Sequence, residues 1–373
     1  MNSTVIFLIV LVLTGLVYSL LIMWFYFGWR KIKHYPPVSG PFPSISVIVA
    51  ARNEQKHIGR LIKQLLGQRY PEDKYEVIIV NDHSNDKTPH MVKENDPGER
   101  IKLIHLKEGL SGKKNAITAG IREAYGTLIV TTDADCIPCN HWLEAIAKAY
   151  AYNKYKMIAG PVVVTNPKGF TGKFQAIELL SLVASAAGAI SINQPIMCNG
   201  ANLAYEKAAF EQVSGFKGNE HIPGGDDIFL LEKFKKAFSG KAIAFLKEKE
   251  AIVLTEGVSG IREFIHQRIR WVSKSHAYRD PFMIFTALTV LLLNMAIILA
   301  VIAGFFNPLF FYVFGVLFLL KSFVDFKLLW DISGFARQRH LMKWFPLMQF
   351  LYFPFISIMG LAGNILAYKW KGR

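Results

Sequence analysis

The sequence predicts an α/β domain built on a mostly parallel sheet, with transmembrane α-helices at both ends. Three observations carry this. Residues 1–29, Pro281–Leu320 and Trp344–Tyr368 contain no charged residue, and about 20 apolar residues suffice for a helix to cross a bilayer. Between the first two runs lies a polar stretch of 251 residues, Arg30–Asp280, in which short β-branched segments alternate with amphipathic ones. Acidic residues follow directly on those β-branched segments, where open parallel sheets place their ligands. The composition, 52% hydrophobic and 19% charged over 373 residues, excludes a disordered chain. Three cysteines are too few for a disulfide-stapled domain and fit a reducing compartment.

Taken in order, the apolar run Val5–Phe27 has no basic segment before it and no small-residue cleavage site before Arg30, so it reads as a retained anchor rather than a signal peptide. Arg30, Lys31 and Lys33 follow, and the positive-inside bias then places the large domain in the cytoplasm, as in an integral protein of the inner cell membrane. The net charge of +15 has an ordinary cause in basic residues beside membrane helices, and nucleic acid is not an expected partner. The Pro-rich segment Pro36–Pro43 is a hinge, and a domain is expected over 35–280. Strands are expected at Ser46–Ala50, Glu76–Val80, Ile101–His105 and Thr127–Thr132. Helical spacing of Ile58, Leu61, Ile62, Leu65 and Leu66 marks a helix, another is expected over Lys114–Ala124, and Thr88 reads as the N-cap of a helix with Pro89 at its first position. Leu179–Tyr205 is uncharged, but Asn193, Gln194 and Pro195 limit its apolar part to about 14 residues, which predicts a buried or interfacial helix and a loop. Crossings are expected at about 282–303 and 309–326 with a hairpin at Gly304–Pro308, then a polar link Lys327–Lys343. A third crossing or re-entrant segment is expected over 344–368, with Pro354 in its middle.

Several residues in the polar stretch can carry chemistry. Asp133 and Asp135 follow an expected strand and are one residue apart, so they repel each other unless a cation lies between them. Mg²⁺ takes one or two carboxylates and completes its shell with water and substrate phosphate, which suits a nucleotide diphosphate ligand. Asp82 ends another strand and can accept an N–H from a base, or simply form a turn. Lys113 precedes a helix and can meet a phosphate. Asp226 and Asp227 fall near a helix start, as dipole-complementing acids or as a general base. Gln267, Arg270 and Trp271 lie on neighbouring helical turns just before the membrane, and an interfacial basic-aromatic belt would look the same. Cys136 and Cys139 form a Cys-x-x-Cys pair, but no second pair exists to complete a zinc site.

In order, Ser46-Val-Ile-Val-Ala-Ala-Arg-Asn-Glu54, Val80-Asn-Asp82, Gly112-Lys113, Thr132-Asp-Ala-Asp135, Gly225-Asp-Asp227 and Gln267-Arg-Ile-Arg-Trp271 resemble the membrane-bound family 2 glycosyltransferases, a group that includes cellulose, chitin and hyaluronan synthases and ceramide glucosyltransferases. The resemblance implies a GT-A-type nucleotide-sugar-binding domain and a metal-dependent, inverting sugar transfer of the kind used in cell-envelope biosynthesis. The expected donor is a nucleotide-diphosphate sugar, UDP-linked, and the expected partner on the other side is a lipid or polyprenyl-linked acceptor, a lipid or a glycan. Residue by residue it implies that Ala50, Arg52, Glu54, Asp82, Lys113, Asp133 and Arg270 bind the donor. Asp135, with Asp133, would hold Mg²⁺ or Mn²⁺, and Asp227 would be the catalytic base. Asp226, Gln267, Arg270 and Trp271 would face the acceptor and leaving group. Asp226 stands where Glu is more usual. A processive polysaccharide synthase shares these motifs and differs in product length, and a catalytically inactive scaffold would keep the fold without turnover.

Overall fold

The computed structural model describes residues 3–37, 41–220 and 222–365. Ten strands occur among them: β1 (Ile45–Ala51), β2 (Tyr75–Asn81), β3 (Ile101–His105), β4 (Leu128–Asp133), β5 (Ile137–Pro138), β6 (Met157–Ala159), β7 (Val162–Thr165), β8 (Leu203–Glu206), β9 (Ile243–Phe245) and β10 (Val253–Glu256). The helices are α1 (Ser3–Lys31), α2 (Ile58–Leu66), α3 (Thr88–Glu94), α4 (Lys113–Arg122), α5 (Trp142–Asn153) and α6 (Gly169–Ser191), followed by α7 (Lys207–Gln212), α8 (Asp226–Phe238), α9 (Ile261–Val272), α10 (Pro281–Gly304), α11 (Leu309–Phe335) and α12 (Phe345–Ile365). The chain divides into two compact units. One holds all ten strands with α2–α5, α7 and α8; the other holds α1, α9–α12 and α6 up to Ala189.

In the first unit, seven strands form a sheet in the order β3-β2-β1-β4-β8-β6-β9, and only β8 runs antiparallel to its neighbours. Val47, Ile48 and Val49 of β1 are fully buried, because helices cover both faces and no alternation with polar residues is possible. α2 buries Ile58, Leu61, Ile62 and Leu65, the stripe its spacing predicts. α4 approaches the sheet so closely that a Cβ on Gly120 would lie 2.6 Å from Cγ2 of Ile48. The parallel register sets Ala50 of β1 beside Asp133 of β4, and Ala51 beside Asn81 of β2. The carboxyl ends of the central strands are therefore level, and the acids that follow them share one edge. A second sheet, β5-β10-β7, packs its own short strands in mixed orientation. One expectation is corrected here: Lys87 is the N-cap of α3, Thr88 its first helical residue and Pro89 the second, and the Thr88 N–H donates to Oδ1 of Asp86 at 2.9 Å.

The helical unit departs from the expected boundaries. The 35–280 stretch is not one body, since Pro167–Ala189 and the residues from Gly257 onward group with the apolar helices. α6 begins ten residues before Leu179 and is 23 residues long, and it is one of five helices long and apolar enough, by length and composition, to cross a membrane. Its polar residues are paired rather than solvated: Gln175 exchanges two hydrogen bonds with the Val258 backbone, each 3.0 Å, and Glu178 meets Arg268. α1 and α6 touch backbone to backbone, a Cβ on Gly188 being placed 2.2 Å from the Phe25 carbonyl oxygen. α10 starts at Pro281 with Asp280 as its cap, its Oδ1 accepting from the Met283 N–H at 2.8 Å. α11 runs nine residues beyond position 326. Charges do not end it, because Lys321 is 1% exposed and donates to Asp325 and to Gln349 of α12, while Tyr18 of α1 donates to Asp325 at 2.6 Å. α12 continues through Pro354 to Ile365, and the expected segment's last residues and the basic tail Lys369–Arg373 lie outside the described residues.

Candidate active site

The first unit gathers Asp82, Lys113, Asp133, Asp135, Asp226 and Asp227 beyond the carboxyl edge of its sheet. Lys113 opens α4 behind Gly112, whose φ of 93° allows a sharp turn from loop to helix. Its Nζ lies 2.7 Å from Oδ1 of Asp133 and 3.2 Å from Oδ2 of Asp226. This single ammonium joins the end of β4 to the start of α8. Burial alone would lower the Lys113 pKa, but Asp133, Asp226 and Asp227 hold it well above the ordinary lysine value, so it stays charged.

Asp133, Asp135 and Cys136 bring ligand atoms within 4.8 Å of one another. Burial, then the charges of Asp133 and Glu54, push the Asp135 carboxyl up to about 6. Lys113 offsets part of the charge of this pair of acids, and the hard oxygens that Asp133 and Asp135 offer fit Mg²⁺ or Mn²⁺. Cys136 is a poor ligand here, since burial and the same two acids keep its thiol protonated. Cys139 donates to the Glu250 carbonyl at 2.6 Å and burial raises its pKa too, so neither cysteine is a ready thiolate.

Asp82 is buried. Its Oδ2 accepts from the Gly112 N–H at 2.9 Å and lies 3.9 Å from Nη1 of Arg52, while Oδ1 is buried without a hydrogen-bond partner among the described residues. The loop after β1 is locked to the loop after β2: Asn53 N–H donates to Ser84 Oγ, Glu54 N–H to Thr88 Oγ1 and Gln55 N–H to Asp86, at 3.0, 2.7 and 3.1 Å. Ala50, Arg52 and Glu54 are thus fixed on the rim that also carries Asp82.

Asp227 stands in the first turn of α8, behind the left-handed Gly225. Its Oδ1 accepts from the Ile228 N–H at 2.8 Å and its Oδ2 from the Gly200 N–H at 3.2 Å. Gly200 is the residue that motif reasoning misses, although its Asn-Gly dipeptide is a turn signal. A Cβ there would lie 2.9 Å from Oδ2 of Asp226 and 3.1 Å from Nζ of Lys113, so glycine lets this loop close on the two groups without displacing them. The turn is held from behind: Thr131 Oγ1 donates to the Gly200 carbonyl at 2.8 Å, and the Asn202 side chain bonds Trp142 Nε1 and the carbonyls of Pro161 and Ala251. Lys114 is buried as well, donating to the carbonyls of Asn219 and Ile222 on the loop that leads into α8.

Gln267, Arg270 and Trp271 lie on α9, in the helical unit. There α9 packs on α6 and α12 through Phe264, which stacks on Phe355 and meets Phe174 edge-on.

The fold that carries these residues is the GT-A fold. The model for glycosyl transferase family 2 matches residues 46–213, and the chain carries a family 2 glycosyltransferase domain. Its sequence is similar to the glycosyltransferase AglE of Haloferax volcanii, 27% identical over 189 residues, which are 51% of this chain and 60% of that protein. It is also similar to the beta-monoglucosyldiacylglycerol synthase of a Nostoc species, 30% identical over 155 residues, 40% of this chain and 33% of that one. The chain thus spans less than two thirds of either relative's length. The solved structure of the mannosyltransferase PcManGT of Pyrobaculum calidifontis, determined with GDP-Man and Mn²⁺, shares the fold. Its TM-score is 0.59 and its identity 19%, over 95% of this chain and 98% of that one.

Proposed function

We propose that this protein is a membrane-bound inverting glycosyltransferase that moves a sugar from a nucleotide-diphosphate donor, UDP-linked, to a lipid or polyprenyl-linked acceptor at the cytoplasmic membrane face. The observation that carries the reading is the Lys113 bridge, which holds the strand-end acid Asp133 and the helix-start acid Asp226 around one charge, with Asp227 beside them. The similarity to a glucosyldiacylglycerol synthase supports a lipid acceptor.

In this reading the free Oδ1 of Asp82 accepts a base N–H, and Arg52 and Glu54 line the nucleotide with Ala50. Asp133 and Asp135 hold the divalent cation, which when bound supplies positive charge to the departing diphosphate. Lys113, held beforehand between Asp133 and Asp226, adds to that charge and costs no reorganisation as the bond breaks. Asp227 takes the proton of the attacking hydroxyl while its two backbone N–H contacts keep the carboxylate oriented, a contribution of typically about 10² to 10⁴ in rate. The hydroxyl displaces the nucleotide diphosphate from the opposite face, which inverts the anomeric carbon. Gln267, Arg270 and Trp271 of α9 serve acceptor and leaving-group recognition.

The test is nucleotide release by detergent-purified protein offered a panel of nucleotide sugars, Mg²⁺ or Mn²⁺ and membrane lipid extract. Lipid-stimulated release that both EDTA and Asp227→Asn abolish, with donor binding retained in the variant, is expected. A folded wild-type protein that releases nothing from any donor would overturn the function, and full turnover by Asp227→Asn would overturn the assignment of the base.

A further inference from the structure

Arg268 follows Gln267 in α9 and is 5% exposed. Its Nε donates to both oxygens of Glu178 on α6, each at 2.8 Å, and its Nη2 donates to Oε2 of the same carboxylate. The central carbon of the guanidinium lies over the rings of Phe264 and Trp271, 4.4 and 4.1 Å from their centroids. The remaining arm, Nη1, donates to Oε1 of Gln267. An arginine with its edge on a carboxylate and two rings against it acts through its neighbours.

The chemistry of this contact decides how Gln267 is turned. A guanidinium has donors and no acceptor, so the amide oxygen of Gln267 must face it, and the amide NH₂ must face away. We propose that Arg268, anchored by Glu178, is a positioning residue that presents the Gln267 amide N–H donors to a substrate oxygen and steadies the Trp271 ring. The inference rests on the glycosyltransferase reading above and deepens it: the site along α9 recognises an oxygen lone pair, and a substrate group that offers only donors has no partner at Gln267. A donor diphosphate oxygen and an acceptor hydroxyl or phosphate oxygen share this chemistry.

Initial rates of full-length protein in detergent, measured against donor and acceptor concentration separately, test it. The variants are Gln267→Glu, which keeps the size and removes the NH₂ donors, Arg268→Lys, and the double variant. Gln267→Glu is expected to raise one KM, and Arg268→Lys to raise the same KM about tenfold, the loss of roughly one hydrogen bond. The double variant is expected to be no worse than Gln267→Glu alone, because both changes remove one interaction. A rise in the donor KM assigns the oxygen to the diphosphate, and a rise in the acceptor KM assigns it to the acceptor. Glu178→Gln, which loosens the anchor and keeps the arginine, is expected to raise that same KM and serves where Arg268→Lys folds poorly. Multiplying effects in the double variant, or a fall in kcat that merely follows the folded fraction with both KM values unchanged, would overturn the proposal. Wild-type protein that transfers nothing would overturn the reading beneath it, a result visible before any variant is made.

Discussion

Metal binding at Asp133 and Asp135 should depend on pH in a way that an ordinary carboxylate pair would not. The perturbation is acidification from pH 7.5 to 5.0 with Mn²⁺ as the probe. Asp135 is raised to about 6 by burial and by its acidic neighbours, so in the metal-free protein it is ionised at pH 7.5 and about ten-to-one protonated at pH 5.0. A cation must displace that proton, and the apparent affinity should fall about tenfold over this range. Had the carboxyl its usual value near 3.9, the same change would cost less than about a tenth of the affinity. The sign follows from burial: desolvation favours the neutral acid, so protonation competes with the metal at a higher pH. Calorimetric titration in two buffers of different ionisation enthalpy reads both the affinity and the proton released, which should be about half a proton per metal at pH 6 and near zero at pH 7.5. Asp135→Asn should abolish the proton release and most of the binding. Equal Mn²⁺ affinity at both pH values, or proton release that persists in Asp135→Asn, would refute the reasoning.

Two further substitutions probe the packing. Gly200→Ala places a methyl group 2.9 Å from Oδ2 of Asp226 and 3.1 Å from Nζ of Lys113. The ends of flexible side chains can move aside, so melting temperature should change little while sugar transfer falls at least about tenfold, as small displacements at a reacting centre do. Wild-type transfer rates in this variant would show that the bridge tolerates distortion. Gly188→Ala meets backbone instead, with its Cβ 2.2 Å from the Phe25 carbonyl oxygen, and α1 and α6 must separate. A cost of about 1–3 kcal/mol is expected, read as a lower melting temperature in detergent, with Gly28→Ala giving a similar, non-additive loss. Additive losses would place the two glycines in separate contacts.

Sequence alone was enough for four of the seven strands of the central sheet. β1, β2, β3 and β4 fall within a residue or two of their expected bounds; β1, β2 and β4 are short, mostly apolar runs buried on both faces, whereas the edge strand β3 is half-exposed and carries Lys102 and His105. The acids at their ends were legible because a strand's carboxyl edge can be counted along the chain. What sequence could not supply was pairing at a distance. Lys113 reads as a loop lysine until the fold sets it between Asp133 and Asp226, residues 20 and 113 positions away. Gly200 carries no functional group, and its importance is the space that its missing Cβ leaves to Asp226 and Lys113. The extent of α6 and α11 was misjudged because Glu178, Lys321 and Asp325 count as polar in a hydropathy pattern, whereas Arg268, Gln349 and Tyr18 satisfy them inside the helical unit. Local composition therefore determined which segments form strands and helices, and which acids stand at a strand end. Tertiary structure decided which charges meet, because a buried charge is tolerated only beside its partner, and that partner lies far away in the chain.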